Sequence, residues 1–139
     1  PMVKQLNTEA EFAAALEAAG ERAVFIDFTA TWCGPCKQIG PVFDRLAKQT
    51  EDCLFFKVDV DVNQAVAAKY GVEAMPTFIA IKNKKKVGEA VGADPGKLAK
   101  LIDDHKLELS TLATVGGAMI LVVALFGVWT LAKQPSKSS

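Results

Sequence analysis

The sequence predicts an α/β fold, a mixed sheet flanked by helices, followed by one apolar C-terminal segment of a different kind. Three observations carry that expectation. Short apolar runs alternate with segments of helical spacing as far as Lys106. The last two apolar runs are separated only by the polar turn Asn83-Lys84-Lys85-Lys86, so they read as an antiparallel hairpin. From Leu109 to Ala132 there is no charged residue at all.

Thr8-Glu9-Ala10-Glu11 has the pattern of a capping box, and Phe12, Leu16 and Ala19 then recur at helical spacing before Gly20. Ala23 to Phe28 is nearly continuous in apolar character, as suits a strand covered on both faces, with Asp27 its only charge. Trp32-Cys33-Gly34-Pro35-Cys36 follows and opens a helix, Lys37 to Lys48, whose Ile39, Val42, Phe43 and Leu46 form one face. Pro41 lies inside that pattern and is expected to bend or divide the helix. Leu54 to Val60 reads as a strand with the internal charge Lys57, and Asn63 as the cap of a short helix ending near Tyr70 and Gly71. Thr77 to Lys82 and Val87 to Val91 form the hairpin. Asp94-Pro95 then opens a helix with Leu98, Leu101 and Ile102 on its buried side.

The domain organisation follows: 1–106 a globular domain, 107–111 a linker, 112–132 a membrane span, 133–139 a polar tail. The 21 residues of 112–132 reach roughly 31 Å as a helix, near the thickness of a bilayer core, and Trp129 and Lys133 mark the far interface. A domain this small has no interior that would hide a helix apolar all round. Up to Leu109 the chain holds 14 Lys+Arg against 16 Asp+Glu, and Lys133 and Lys137 bring the net charge to zero. Neither part is basic enough for nucleic acid. Three cysteines argue against a disulfide framework, and no exported leader is evident, so the expectation is a reducing compartment with the domain in the cytosol. The span is read as a single-pass tail anchor in the mitochondrial outer membrane or the endoplasmic reticulum. A linker this short holds the domain close to the bilayer, where membrane-associated targets lie.

Cys33 and Cys36 are the strongest chemical signal. Two thiols one helical turn apart, where a strand hands over to a helix, form and break a disulfide reversibly. Cys33 is expected to be an exposed nucleophile at the helix start, its thiolate favoured by open backbone amides, and Cys36 one turn inside resolves the mixed disulfide. Gly34 is expected to let the loop turn tightly and Pro35 to stiffen it. A zinc site needs about four ligands, and beyond this pair only Cys53 and His105 remain, so no metal is expected. Asp27, a carboxylate in an apolar strand, is expected to titrate high through desolvation and to exchange a proton with Cys36; the plainer alternative is a structural acid paired with Lys57. Cys53 reads as an inert, partly buried residue.

The motif Trp32-Cys33-Gly34-Pro35-Cys36, with Asp27-Phe28 before it and Met75-Pro76-Thr77 far downstream, resembles the thioredoxin family. Val3-Lys4-Gln5-Leu6, Val58-Asp59-Val60-Asp61 and Gly92-Ala93 resemble the animal members in particular. The likeness covers about 2–106 and stops before the tail. It implies the thioredoxin fold, Cys33 as attacking and Cys36 as resolving thiol, and a Lys57 that tunes Asp27. It also implies a cis bond at Pro76 and a substrate groove formed by Trp32, Pro35, Ala74, Met75, Pro76, Gly92 and Ala93. The implied activity is reduction of protein disulfides, with no bound cofactor and with recharging by an NADPH-dependent thioredoxin reductase. A membrane-tethered peptide-binding module using the same groove without turnover is the alternative. Animal members often carry a cysteine where this chain has Ala74, so properties dependent on that thiol are not carried over.

Overall fold

A computed structural model describes residues 3–106. The elements run β1 (Lys4–Gln5), α1 (Glu9–Ala19), β2 (Val24–Thr29), α2 (Gly34–Gln49), β3 (Leu54–Asp59), α3 (Gln64–Lys69), β4 (Thr77–Lys82), β5 (Lys85–Val91) and α4 (Pro95–His105). The five strands form one sheet in the order β1-β3-β2-β4-β5. The β1–β3 and β2–β3 pairs are parallel, while β2–β4 and β4–β5 are antiparallel. The expected mixed sheet is therefore present, and it is the thioredoxin fold.

The alternation of side chains along the central strands divides the interior in two. On one face Phe25, Phe55, Phe78 and Ala80 meet Ile39, Phe43 and Ala47 of α2 and Leu98, Leu101 and Ile102 of α4. On the other, Val24, Ile26, Phe28, Val58, Ile79 and Ile81 meet Phe12 and Leu16 of α1 and Val66 and Ala67 of α3. Phe43 is fully buried, its ring 5.5 Å from that of Phe55 and 5.6 Å from that of Phe78. This packing fixes α2 against the sheet and so places the cysteines at its head.

Local signals account for most helix ends. The Thr8 hydroxyl accepts from Glu11 N at 3.0 Å, and the Glu11 carboxylate reaches back one residue further than a standard capping box, to Asn7 N at 2.8 Å. Asp94 Oδ1 accepts from the amides of Gly96 and Lys97.

One strand was not expected, and three expectations need correction. β1 has no sequence signature: both its residues are exposed, and it exists because β3 offers an open edge. Pro41 does not divide α2; its side chain sits on the exposed face, and the loss of one amide there leaves the helix continuous over 16 residues. Asn63 does not cap α3 with its side chain; it is buried, and its Nδ2 donates to the carbonyl of Leu6, 57 residues away. The hairpin turn is tighter than the sequence indicates. Asn83 and Lys84 take positive φ of 51° and 64°, so two residues suffice and β5 starts at Lys85. The extra length is absorbed by a bulge at Val87, between the pairs Ala80↔Gly88 and Ile81↔Lys86.

The proposed segments 107–111, 112–132 and 133–139 lie outside the described residues. Among the described residues no helix is long and apolar enough to cross a membrane.

Candidate active site

β2 ends at Thr29 and α2 begins at Gly34, so the loop between them carries the dithiol to the edge of the sheet. Cys33 is the residue that caps α2; its backbone is extended and its Sγ accepts a hydrogen bond from Cys36 N at 3.2 Å. The two cysteines form a disulfide, with their Cα atoms 5.3 Å apart. Both are largely buried, Cys33 against the expectation of an exposed nucleophile, because the pair packs with Ala30 and against Val60 and Met75.

Trp32 of the loop, and Gly34 and Pro35 at the start of α2, are exposed. Pro35 stands in the first turn of α2, where its missing amide costs nothing. Gly34 is not demanded by a tight turn: a Cβ there would meet nothing within 4 Å. Trp32 is 66 % exposed, yet its indole is not adrift, because Nε1 donates to the Asp61 carboxylate at 2.9 Å.

Facing the disulfide is the turn before β4. The Met75–Pro76 peptide bond is cis. The Met75 carbonyl oxygen lies 3.8 Å from Cys33 Sγ. Thr77 Oγ1 donates to the Ala74 carbonyl at 2.5 Å, and Gly92 N donates to the Pro76 carbonyl at 2.9 Å, which ties this turn to the end of β5. Gly92 adopts φ of 98°, a conformation that a side chain would strain. Ala74 and Ala93 are exposed and Met75 and Gly92 half-buried, while Pro76 is covered.

Behind the disulfide lies a cleft of about 340 Å³ reached from the α2 side, with Cys36, Asp27, Lys57 and Asp44 in its lining. Asp27 is 2 % exposed in the middle of β2, between Lys57 of β3 and Phe78 of β4, and its Oδ1 has no hydrogen-bond partner. Burial pushes its carboxyl up to about 7, with Lys57 pulling it back and Asp44 adding to the rise. Lys57 is not the salt-bridge partner of Asp27. Its Nζ lies 3.2 Å from Asp44 Oδ1, on α2.

Two residues of this site escaped the sequence reading. Asp44 had a detectable signal, since 36, 40 and 44 share one helix face and all three line the cleft. Asp61 had none, because its link to Trp32 spans 29 residues and depends on the loop after β3. Cys53 is buried in the cluster beneath α2 and away from the dithiol.

A mixed sheet with a vicinal dithiol at the head of a helix, opposite a proline turn, defines a protein-disulfide oxidoreductase. The thioredoxin family model matches residues 3–104. Human thioredoxin is 47 % identical over 103 residues, covering 74 % of this chain and 98 % of that protein. Chicken (Gallus gallus) thioredoxin is 50 % identical over 101 residues, covering 73 % and 96 %. Among solved structures, the reduced Schistosoma mansoni thioredoxin pre-protein matches with a TM-score of 0.72 at 44 % identity, covering 76 % of this chain and 99 % of that one. Fasciola hepatica thioredoxin matches with 0.73 at 43 %, covering 75 % and 100 %. The chain belongs to the thioredoxin family.

Proposed function

We propose that this chain is a membrane-anchored reductant of protein disulfides, cycling Cys33 and Cys36 between dithiol and disulfide. The observation that carries the reading is the disulfide itself, formed at the head of α2 beside the Met75 carbonyl and backed by a cleft in which one oxygen of the Asp27 carboxyl has no hydrogen-bond partner. In the reduced form the Cys33 thiolate attacks one sulfur of a substrate disulfide. A mixed disulfide forms and the other substrate thiolate leaves. Asp27 takes the proton of Cys36, whose thiolate then attacks Cys33 Sγ; the Cys33–Cys36 bond forms, the bond from Cys33 to the substrate sulfur breaks, and the second substrate sulfur leaves as a thiolate that is protonated by water. Two electrons have passed to the substrate. They are restored by a thioredoxin reductase drawing on NADPH, and no cofactor resides on the chain.

An extended substrate segment lies across Trp32, Pro35, Ala74, Met75, Gly92 and Ala93. Its backbone pairs at Met75 in the manner of an added strand. Residues 112–132 anchor the chain through their uninterrupted apolar length, with the domain on the cytosolic face of the mitochondrial outer membrane or the endoplasmic reticulum.

Insulin reduction driven by NADPH and thioredoxin reductase tests the chemistry. The parent turns over, Cys33→Ser forms no adduct, and Cys36→Ser accumulates a mixed disulfide. A parent that binds unfolded peptides but leaves insulin disulfides intact refutes the reading and favours a tethered binding module. Localisation of the full chain and of 1–106, with protease protection, tests the anchor. Identical soluble distributions of the two refute it.

A further inference from the structure

Asp27 and Lys57 are direct neighbours across β2 and β3, with their side chains on the α2 side of the sheet, the side of Phe25 and Phe55. A lysine so placed would ordinarily turn its ammonium to the buried carboxyl. Here it does not: Lys57 Nζ pairs with Asp44, and Asp27 Oδ1 is left without a partner. The pair is an ion contact rather than an aligned hydrogen bond, since Asp44 Oδ1 is buried and makes no hydrogen bond.

We propose that Asp44 is a positioning residue of the dithiol site: by holding the Lys57 ammonium on the α2 side of the cleft, it sets how much of that charge reaches Asp27. The inference rests on the dithiol-exchange reading and adds the residue that tunes its proton acceptor. Asp44 acts in two ways of the same sign. It draws a cation away from Asp27, and its own negative charge disfavours a second anion nearby. Both keep the Asp27 carboxyl protonated to higher pH, where it is able to exchange a proton with a thiol near neutrality.

The other charged groups of the cleft do not take over this role. Asp59, at the end of β3, spends its Oδ1 on the amides of Asp61 and Val62. Lys37, on the first turn of α2, is exposed to water. Gln5, Thr29 and Thr31 are neutral, and Cys36 is in the disulfide.

The experiment titrates the Asp27 carboxyl carbon by NMR in the full-length chain, labelled at aspartate, held in zwitterionic micelles and kept oxidised so that neither active-site thiol titrates alongside. Asp44→Asn lowers the midpoint by roughly half a pH unit or more, and Asp44→Glu restores it. In a Lys57→Met background the same Asp44→Asn change has less than half that effect, because no ammonium is left to release. A midpoint that moves by less than about 0.2 with Asp44→Asn overturns the proposal. So does an equal shift with and without Lys57, and so does Asp44→Glu titrating like Asp44→Asn. Insulin turnover by the parent is measured in parallel. Failure there removes the dithiol-exchange reading, whereas turnover with an unmoved midpoint removes the role of Asp44 alone.

Discussion

Asp27→Asn is expected to stabilise the domain at alkaline pH and to leave it nearly unchanged in acid. In the folded chain burial lifts the carboxyl from an ordinary 3.8 to about 7. The folded state therefore holds its proton more tightly than the unfolded chain, and stability falls as pH rises between those two values. Above about 7 the loss is complete and the slope ends. A gap of about 3 pH units at ~1.4 kcal/mol each amounts to about 4 kcal/mol. An asparagine is close in shape to the protonated acid and carries no charge, so the variant escapes this loss. All other carboxylates titrate in both proteins and cancel in the comparison. The assay is urea unfolding of oxidised 1–106 at pH 4 and pH 8, parent beside variant. With a slope of about 2 kcal/mol per molar urea, the variant midpoint exceeds the parent's by about 2 M at pH 8 and by less than about 0.5 M at pH 4. A difference between the two proteins that is the same at both pH values refutes the reasoning, because it would mean that Asp27 titrates alike folded and unfolded.

Three further outcomes are expected. Phe43→Ala, which empties the fully buried site between Phe55 and Phe78, costs about 3–5 kcal/mol in denaturant unfolding. Gly88→Ala costs at most about 1 kcal/mol by the same measurement, since a Cβ there would sit 2.5 Å from His105 Nε2 and 2.8 Å from Leu101 Cδ1, both side-chain tips, and the half-buried imidazole can turn aside without moving α4. Asp61→Ala removes the acceptor of the Trp32 indole, so KM for a protein disulfide rises with little change in kcat and the Trp32 fluorescence shifts.

Residues contiguous in the chain were the legible ones. Four of the five strands, all four helices and the dithiol could be read directly, because burial of an apolar run, a capping side chain and two thiols one turn apart are local facts. The proline turn facing the dithiol was legible through the resemblance carried by Met75-Pro76-Thr77. What stayed hidden was whatever one element does for another. Asn63 has the composition of a cap, but a buried Leu6 carbonyl 57 residues away claims its amide. Asp27 and Lys57 look like an ion pair on paper, and the docking of α2 gives the lysine to Asp44 instead.

By itself the amino-acid sequence determined that this is a redox protein of α/β architecture with an apolar C-terminal stretch. The chemistry resides in two sulfurs whose spacing the chain sets locally. Tertiary structure alone decided β1, the tether on Trp32, and the pairing of Lys57 with Asp44 rather than with Asp27. Strand register and helix packing bring distant charges into one cleft, where Lys57 and Asp44 adjust a carboxyl that burial has already raised.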